Sequence, residues 1–362
     1  MPAERVVLRD FKVFEQLDVS LHPQLNLLVG DNGAGKSSFL EALKLVGRAK
    51  LTGLQARELS RFGSSAWQLA VGWQDFDVRT GAKGSPHQAR ISWKRGLELR
   101  LDQKPISAGE LAREFPTAGI DVSVQRLIAE GPALRRQFID WSLFHVEQSY
   151  AVTWAAWRRC LAQRNRCLVE QRPVNQLRAF NDNLARHASQ LTDLRRRHVA
   201  GLAAAFSDLA DALLGIEAHY DLGYEPGWSA DRTYAEVLLS QESRDQSRRS
   251  TIDGPQRADL VFRSSGGAAR TLSRGQQKLM FAALVFAGCR QIAAQRNRWP
   301  LLLVDDFAAE LAKPAQQRLA AAIAGYAGQA IVTMHESDPK LWPTSARWMF
   351  HVEHGKIARG VE

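Results

Sequence analysis

Eight consecutive residues, Gly30 Asp31 Asn32 Gly33 Ala34 Gly35 Lys36 Ser37, fit the pattern G-x-x-x-x-G-K-[ST], in which each residue type serves the holding of phosphate. Glycines let successive backbone N–H groups turn toward phosphate oxygens, and the start of a following helix adds a favourable dipole. Lys36 supplies a cation for the β and γ phosphates and Ser37 a hydroxyl ligand for Mg²⁺, with Ser38 beside it at the same helix start. Far downstream, Leu301 Leu302 Leu303 Val304 Asp305 Asp306 is an apolar run ending in two carboxylates. Asp305 there suits a Mg²⁺ ligand and Asp306 a group that orients attacking water. Between the two, Leu272 Ser273 Arg274 Gly275 Gln276 opens an apolar helical stretch, whose start offers a serine hydroxyl and unpaired backbone N–H groups. The glycine loop and the acid pair also have structural readings: a glycine-rich turn capping an ordinary helix, and carboxylates capping the next turn.

These groups need elements to place them. Leu25 to Val29 reads as a strand buried on both faces, and Phe39, Leu40, Leu43 and Val46 recur at helical spacing behind the glycine loop. Leu17, Val19 and Leu21, then Trp67 to Trp73, then Leu97 to Leu101 alternate as half-buried strands do, with turn-formers at Gly81 to Pro86 and Lys94 to Gly96. From Gly131-Pro132 the period becomes helical. Tyr150, Trp154, Trp157, Leu161 and Leu168 form one seam, and Leu177, Phe180, Leu184, His187, Leu191, Leu194 and His198 form another beyond Pro173. This predicts an antiparallel helical hairpin whose legs of about 35 residues reach roughly 50 Å. His187 and His198 are expected as core polar residues. Ile216 to Leu222 alternates like a strand, Tyr234 to Leu239 suits a short helix, and Gln241 to Thr251 reads as a polar loop.

With 362 residues, 45% of them hydrophobic, the chain can bury a substantial core and divides into two domains or one with a large insertion. Positions 1–120 and 252–362 are expected to form the α/β body, and 121–251 the mostly helical arm. No run approaches the roughly 18 apolar residues of a membrane span, and no signal-peptide pattern opens the chain, so a cytoplasmic protein without membrane is expected. The three cysteines fit neither a disulfide framework nor a zinc site and read as reduced core residues. Net charge +10 favours a polyanionic partner. Within 151–200, ten arginines face three acids, and Arg158, Arg159, Arg164, Arg166, Arg178 and Arg195 to Arg197 are expected to flank the seams as a phosphate-contacting surface.

The separation of the glycine loop from the acid pair by a helical arm and an L-S-x-G-Q segment resembles ATP-binding-cassette ATPases of the SMC type. The fold class expected is therefore α/β: an ABC-type P-loop ATPase head with mixed sheets and an inserted α-helical hairpin arm. Further segments resemble the RecF family over nearly the whole length: Gly131 to Trp141 for its G-P-x-x-R-R-x-F-[LI]-D, Gln163 Arg164 Asn165 for its arm motif, Gly254 to Leu260 for G-P-H-R-x-D-L, Leu272 to Lys278 for L-S-x-G-Q-x-K, and Gly355 Lys356 Ile357 for G-K-I. The resemblance implies ATP and Mg²⁺ as cofactors and an ATP-dependent homodimer, in which Ser273 and Gly275 of one copy meet the nucleotide held by the other. It implies slow, DNA-stimulated ATP hydrolysis, binding to single-stranded and duplex DNA near gap junctions, and work with RecR and RecO in loading RecA during replication and recombinational repair. His335, ending the apolar strand 330–334, stands where many cassette ATPases carry a γ-phosphate-sensing histidine. A surface histidine is the alternative. Gln125 is the candidate for coupling Mg²⁺ to the arm. The chain departs from the family at Ala312, where an acid is usual, at Gln256 for His, and at Lys50 Leu51 for Phe-Arg. Two rival readings fit the same motifs: an ATP-gated DNA clamp that scarcely hydrolyses, and the ATPase subunit of a membrane transporter, against which the long arginine-rich hairpin argues.

Overall fold

The computed structural model describes residues 2–48, 51–76, 83–121, 131–216, 219–263, 272–343 and 347–360. The chain forms two compact units, Met1–Val124 with Ala212–Gly215 and Ser273–Glu362, and Gln125–Asp211 with Ile216–Leu272. This division differs from the expected boundary over 252–272, because β10 (Asp259–Arg263) pairs antiparallel with β9 (Asp221–Glu225) inside the second unit.

The first unit is a head of two six-stranded sheets. One is antiparallel, in the order β2-β1-β4-β5-β6-β7, formed by β1 (Ala3–Phe11), β2 (Phe14–Ser20), β4 (Trp67–Phe76), β5 (Lys83–Trp93), β6 (Leu97–Leu101) and β7 (Lys104–Pro105). Its alternating residues, Val6, Leu8, Leu17, Leu69, Val71 and Ile91 among them, enter a single core. Pro86 lies within β5, opposite Gln74 and beside a register shift, rather than in a turn. A proline is tolerated there because a bulge already interrupts the ladder.

The other sheet runs β14-β13-β3-β12-β11-β8, with β3 (Leu25–Val29), β8 (Thr117–Ile120), β11 (Leu301–Val304), β12 (Ala330–Met334) and β13 (Arg347–Glu353) parallel and β14 (Lys356–Arg359) antiparallel at one edge. All of β11 and β12 is buried, as strands covered on both faces require. The helix Lys36–Arg48 packs Phe39, Leu40, Leu43 and Val46 inward as their spacing predicts. The mixed sheets and helices establish the α/β class.

The second unit contains helices Pro132–Val146, Tyr150–Val169 and part of Asn181–Leu214. The first expected leg is broken at 147–149, and its continuous part is 20 residues long against 34 for the return helix. Trp157, Leu168, Leu184, Leu191 and Leu194 are buried as the seam predicts. His198 is buried, while His187 is only half-buried. Cys289 is fully buried, whereas Cys160 and Cys167 are only partly so. Two further expectations are corrected. The strand placed at 216–222 begins at Asp221, and Gln241 to Thr251 is not a loop throughout: Glu242–Arg248 is helical, with Asp245 buried against Arg164 at 2.8 Å.

That contact also corrects the arginine surface. Arg164 is fully buried, donating to Asn181, Asp245 and Thr251. Arg195 is 2% exposed and grips both carboxylate oxygens of Asp140 at 2.9 Å and the Pro255 carbonyl. Both are structural. Arg166, Arg178 and Arg196 are exposed but pair with Glu170, Glu242 and Asp193. Arg158, stacked over Trp154, and Arg159 and Arg197 are exposed. The segment 131–141 meets the segment 254–260: Arg135 holds Asp259 in a two-pronged pair at 2.7 and 2.9 Å, and Arg136 donates to the Ala258 carbonyl. Gln256, in the place of the family's histidine, donates its amide to the Thr251 and Asp253 carbonyls. Among the described residues, no helix is long and apolar enough to cross a membrane.

Candidate nucleotide site

The C-terminal ends of β3, β12 and β11 open into a cleft of about 280 Å³ lined by Val13, Asn32, Gly33, Gly35, Lys36, Ser37, Ser38, Asp305, Asp306, Thr333 and His335. Carboxyl ends of parallel strands are where α/β sheets bind ligands, since helix starts and loops converge there. Gly33 and Gly35 have φ of 80° and 119°, the left-handed region that a side chain disfavours. A Cβ on Gly35 would come within 2.8 Å of Val13. The loop is thus shaped as a cradle of backbone N–H groups.

Lys36 Nζ donates to the carbonyls of Gly30 at 2.7 Å and Asp31 at 2.8 Å, so the ammonium folds back over its own loop. Ser37 Oγ lies 3.1 Å from Asp305 Oδ1, a contact between residues 268 positions apart. Two hard oxygen donors side by side at the cleft suit Mg²⁺, which takes one or two protein oxygens and completes its shell from phosphates and water.

Strand β12 separates the two motif strands and supplies what the motifs alone did not reveal. Thr333 donates to Asp305 Oδ1 at 2.7 Å and accepts from the Asp306 N–H at 2.9 Å. A polar residue buried inside the run Ala330 to Met334 was the available signal. Asp306 is exposed in the cleft with φ 49°. A non-glycine residue in this region costs on the order of 1 kcal/mol, and Asp tolerates it better than most. His335 is exposed, its Nε2 3.6 Å from Asp31 Oδ1, a distance at which exposed charges contribute little.

The closing motif stands behind the loop. His354 and Gly355, with φ of 44° and 75°, turn β13 into β14, both positive as a two-residue type I′ hairpin requires. The Gly355 N–H donates to the Ala34 carbonyl at 3.0 Å.

Ser273, Gly275 and Gln276 do not line this cleft. Ser273 caps the helix Arg274–Arg296 and accepts from the Gln276 N–H, while the Gln276 side chain accepts from the Ser273 N–H, a reciprocal capping box. Ala312 is the N-cap of helix Lys313–Ala324 and offers no side-chain acceptor. Gln125 and Lys50 lie outside the described residues.

The RecF/RecN/SMC N-terminal domain family matches residues 3–341. A DNA replication and repair protein RecF from Xanthomonas euvesicatoria pv. vesicatoria (strain 85-10) is 35% identical over 354 residues, 94% of each chain. The chain belongs to the RecF family. Another protein of that name, from Pseudomonas aeruginosa (strain LESB58), is 34% identical, covering 99% of this chain and 98% of its own. Among solved structures, that of the recombination mediator protein RecF-ATP in the RecFOR pathway superposes with a TM-score of 0.85 at 19% identity, over 99% of this chain and 98% of that one. An SmcHead bound to the C-winged helix domain of ScpA does so with 0.63 at 15%, over 99% and 98%. These likenesses show the fold: an ABC-type ATPase head of the RecF and SMC kind.

Proposed function

We propose that the chain is an ATP-dependent DNA-binding protein of replication and recombinational repair. Its ATPase site is divided between two copies. The observation carrying this reading is the meeting of Ser37 with Asp305 at 3.1 Å beside Lys36, which assembles a phosphate cradle, a cation and a Mg²⁺ position from distant segments. In this reading the backbone of Gly30 to Lys36 holds the phosphates. Lys36 exchanges its loop carbonyls for β and γ oxygens, an exchange of partners rather than the burial of a bare charge. Ser37 and Asp305 would hold Mg²⁺, which supplies charge neutralisation on the phosphates when bound. Asp306 orients the attacking water, and it lines the same cleft. His335 lines it too and can donate to a γ-phosphate in this reading.

Ser273 and Gly275, absent from the chain's own cleft, serve the nucleotide of a second copy, so ATP joins a two-fold dimer. Ser273 can keep its capping role there, because an N-cap hydroxyl retains its own proton to donate. DNA contact rests on the net charge of +10 and on the exposed Arg158, Arg159 and Arg197, not on Arg164 or Arg195. Slow hydrolysis, preference for gap junctions with single-stranded and duplex character, and cooperation with RecR and RecO belong to this same reading. They are supported by the family and by the RecFOR pathway named for the solved relative. Ala312, lacking a carboxylate, favours a second reading in which the chain acts as an ATP-gated clamp with little turnover.

Phosphate release measured with and without gapped duplex separates the two. The first reading predicts DNA-stimulated release in the parent, with Asp306→Asn retaining ATP binding and losing at least about tenfold in rate. Release that DNA does not raise supports the clamp, and parental release from Asp306→Asn removes that residue from the mechanism.

A further inference from the structure

The helix Arg274–Arg296 carries a lysine that no step above uses. Lys278 is 4% exposed, and its ammonium donates to three backbone carbonyls of one turn: Asp306 at 2.7 Å, Phe307 at 3.2 Å and Ala309 at 3.2 Å. Burial lowers its pKa, while the nearby carboxylates of Asp306, Glu310 and Asp305 act to raise it. The same turn backs onto the first turn of the helix, where a Cβ on Gly275 would stand 2.5 Å from the Glu310 carbonyl oxygen. Asp306 and Glu310 both have positive φ, 49° and 65°, and such conformations persist in non-glycine residues only where neighbours fix them. At Asp306 the fixing is visible on both sides: its N–H goes to Thr333 Oγ1 and its carbonyl accepts from Lys278.

We propose that Lys278 is a positioning residue for hydrolysis, holding the carbonyls of the 306–309 turn so that Asp306 faces the nucleotide cleft. This rests on the reading of Asp306 given above. Removing the ammonium takes that donor from three carbonyls, of which that of Phe307 is held in a buried contact, so the turn must relax to find others. Asp306 then moves with it. The glycine loop, Lys36 and Ser37 belong to β3 and the helix behind it, so nucleotide affinity should survive the change. Through the turn, the helix whose start is offered to a second copy is also joined to the acid that serves the chain's own nucleotide.

The test compares ATP hydrolysis and ATP affinity in the full-length parent, Lys278→Met, Asp306→Asn and the double variant. Asn adopts left-handed backbone as readily as Asp, so Asp306→Asn removes the carboxylate without freeing the turn. Lys278→Met is expected to lower kcat at least about tenfold with Kd for ATP held within about twofold. In the Asp306→Asn background it should change the residual rate less than about twofold, since nothing remains to be positioned. If Lys278→Met melts below the assay temperature, Lys278→Gln, which keeps a donor of shorter reach, takes its place with the same expectations. Equal losses in both backgrounds, or a parental kcat for the Lys278 variant, overturn the inference. A parental rate for Asp306→Asn alone defeats the reading of Asp306 first and the inference with it.

Discussion

Arg164 decides more about the second unit than any exposed arginine. Its guanidinium is fully buried and its partners come from three places: Asn181, Asp245 in a short helix, and Thr251 beyond it. Removing one member of a buried pair strands the other, a loss of about 3–5 kcal/mol. Arg164→Met should therefore lower the urea unfolding free energy by that amount, and Arg164→Met with Asp245→Leu should recover part of it. A loss below about 1 kcal/mol, the scale of a surface pair, would show the pair to be solvated. The sequence already held the clue to this burial. Arg164 stands three residues after Leu161 and four before Leu168, and Arg195 stands four after Leu191 and three before His198, so both occupy seam spacing. Counting them with the outer charges overlooked their positions, because net charge registers amount and not direction.

At the scale of elements, two histidines give the units opposite responses to pH. His87 on β5 lies 2.7 Å from Asp102 and 3.3 Å from Asp75. Burial acts to lower its pKa, but the two carboxylates outweigh burial and raise it. A raised folded pKa means the contribution is present below the unfolded value near 6.5 and lost as pH rises through the folded one. His198 is the reverse: burial alone pushes it down to about 4. Its neutral form is the folded one, so stability falls as pH drops from about 6.5 toward 4, by an amount on the order of 3 kcal/mol. Denaturation midpoints across this range should show His87→Gln flattening the alkaline side and His198→Leu the acid side. Unchanged slopes in these variants would remove the histidines as the cause.

The elements differ in how far sequence revealed them. Leu25–Val29, Leu301–Val304 and the helix behind the glycine loop were plain because a fully buried strand or a one-sided helix writes its environment as an apolar run or period. The helix Glu242–Arg248 wrote none, since only Asp245 of its seven residues is buried. Thr333, invisible as a motif, mattered through sheet order, and order depends on pairing between segments far apart in sequence.

For the whole molecule, the cleft and the capped serine-bearing helix start belong to one compact unit, yet the serine is not part of that cleft. The proposed function divides the site between two copies, and two defective copies can repair one another only if it is divided. The direct measurement mixes Lys36→Ala with Ser273→Arg, each expected to be inactive alone, and follows DNA-stimulated phosphate release together with ATP-dependent sedimentation. In a mixed dimer one site has both defects and the other has an intact cradle facing an intact serine. Random pairing should therefore restore up to about a quarter of parental activity and an ATP-dependent dimer. A mixture no more active than the two variants measured separately would contradict the shared site.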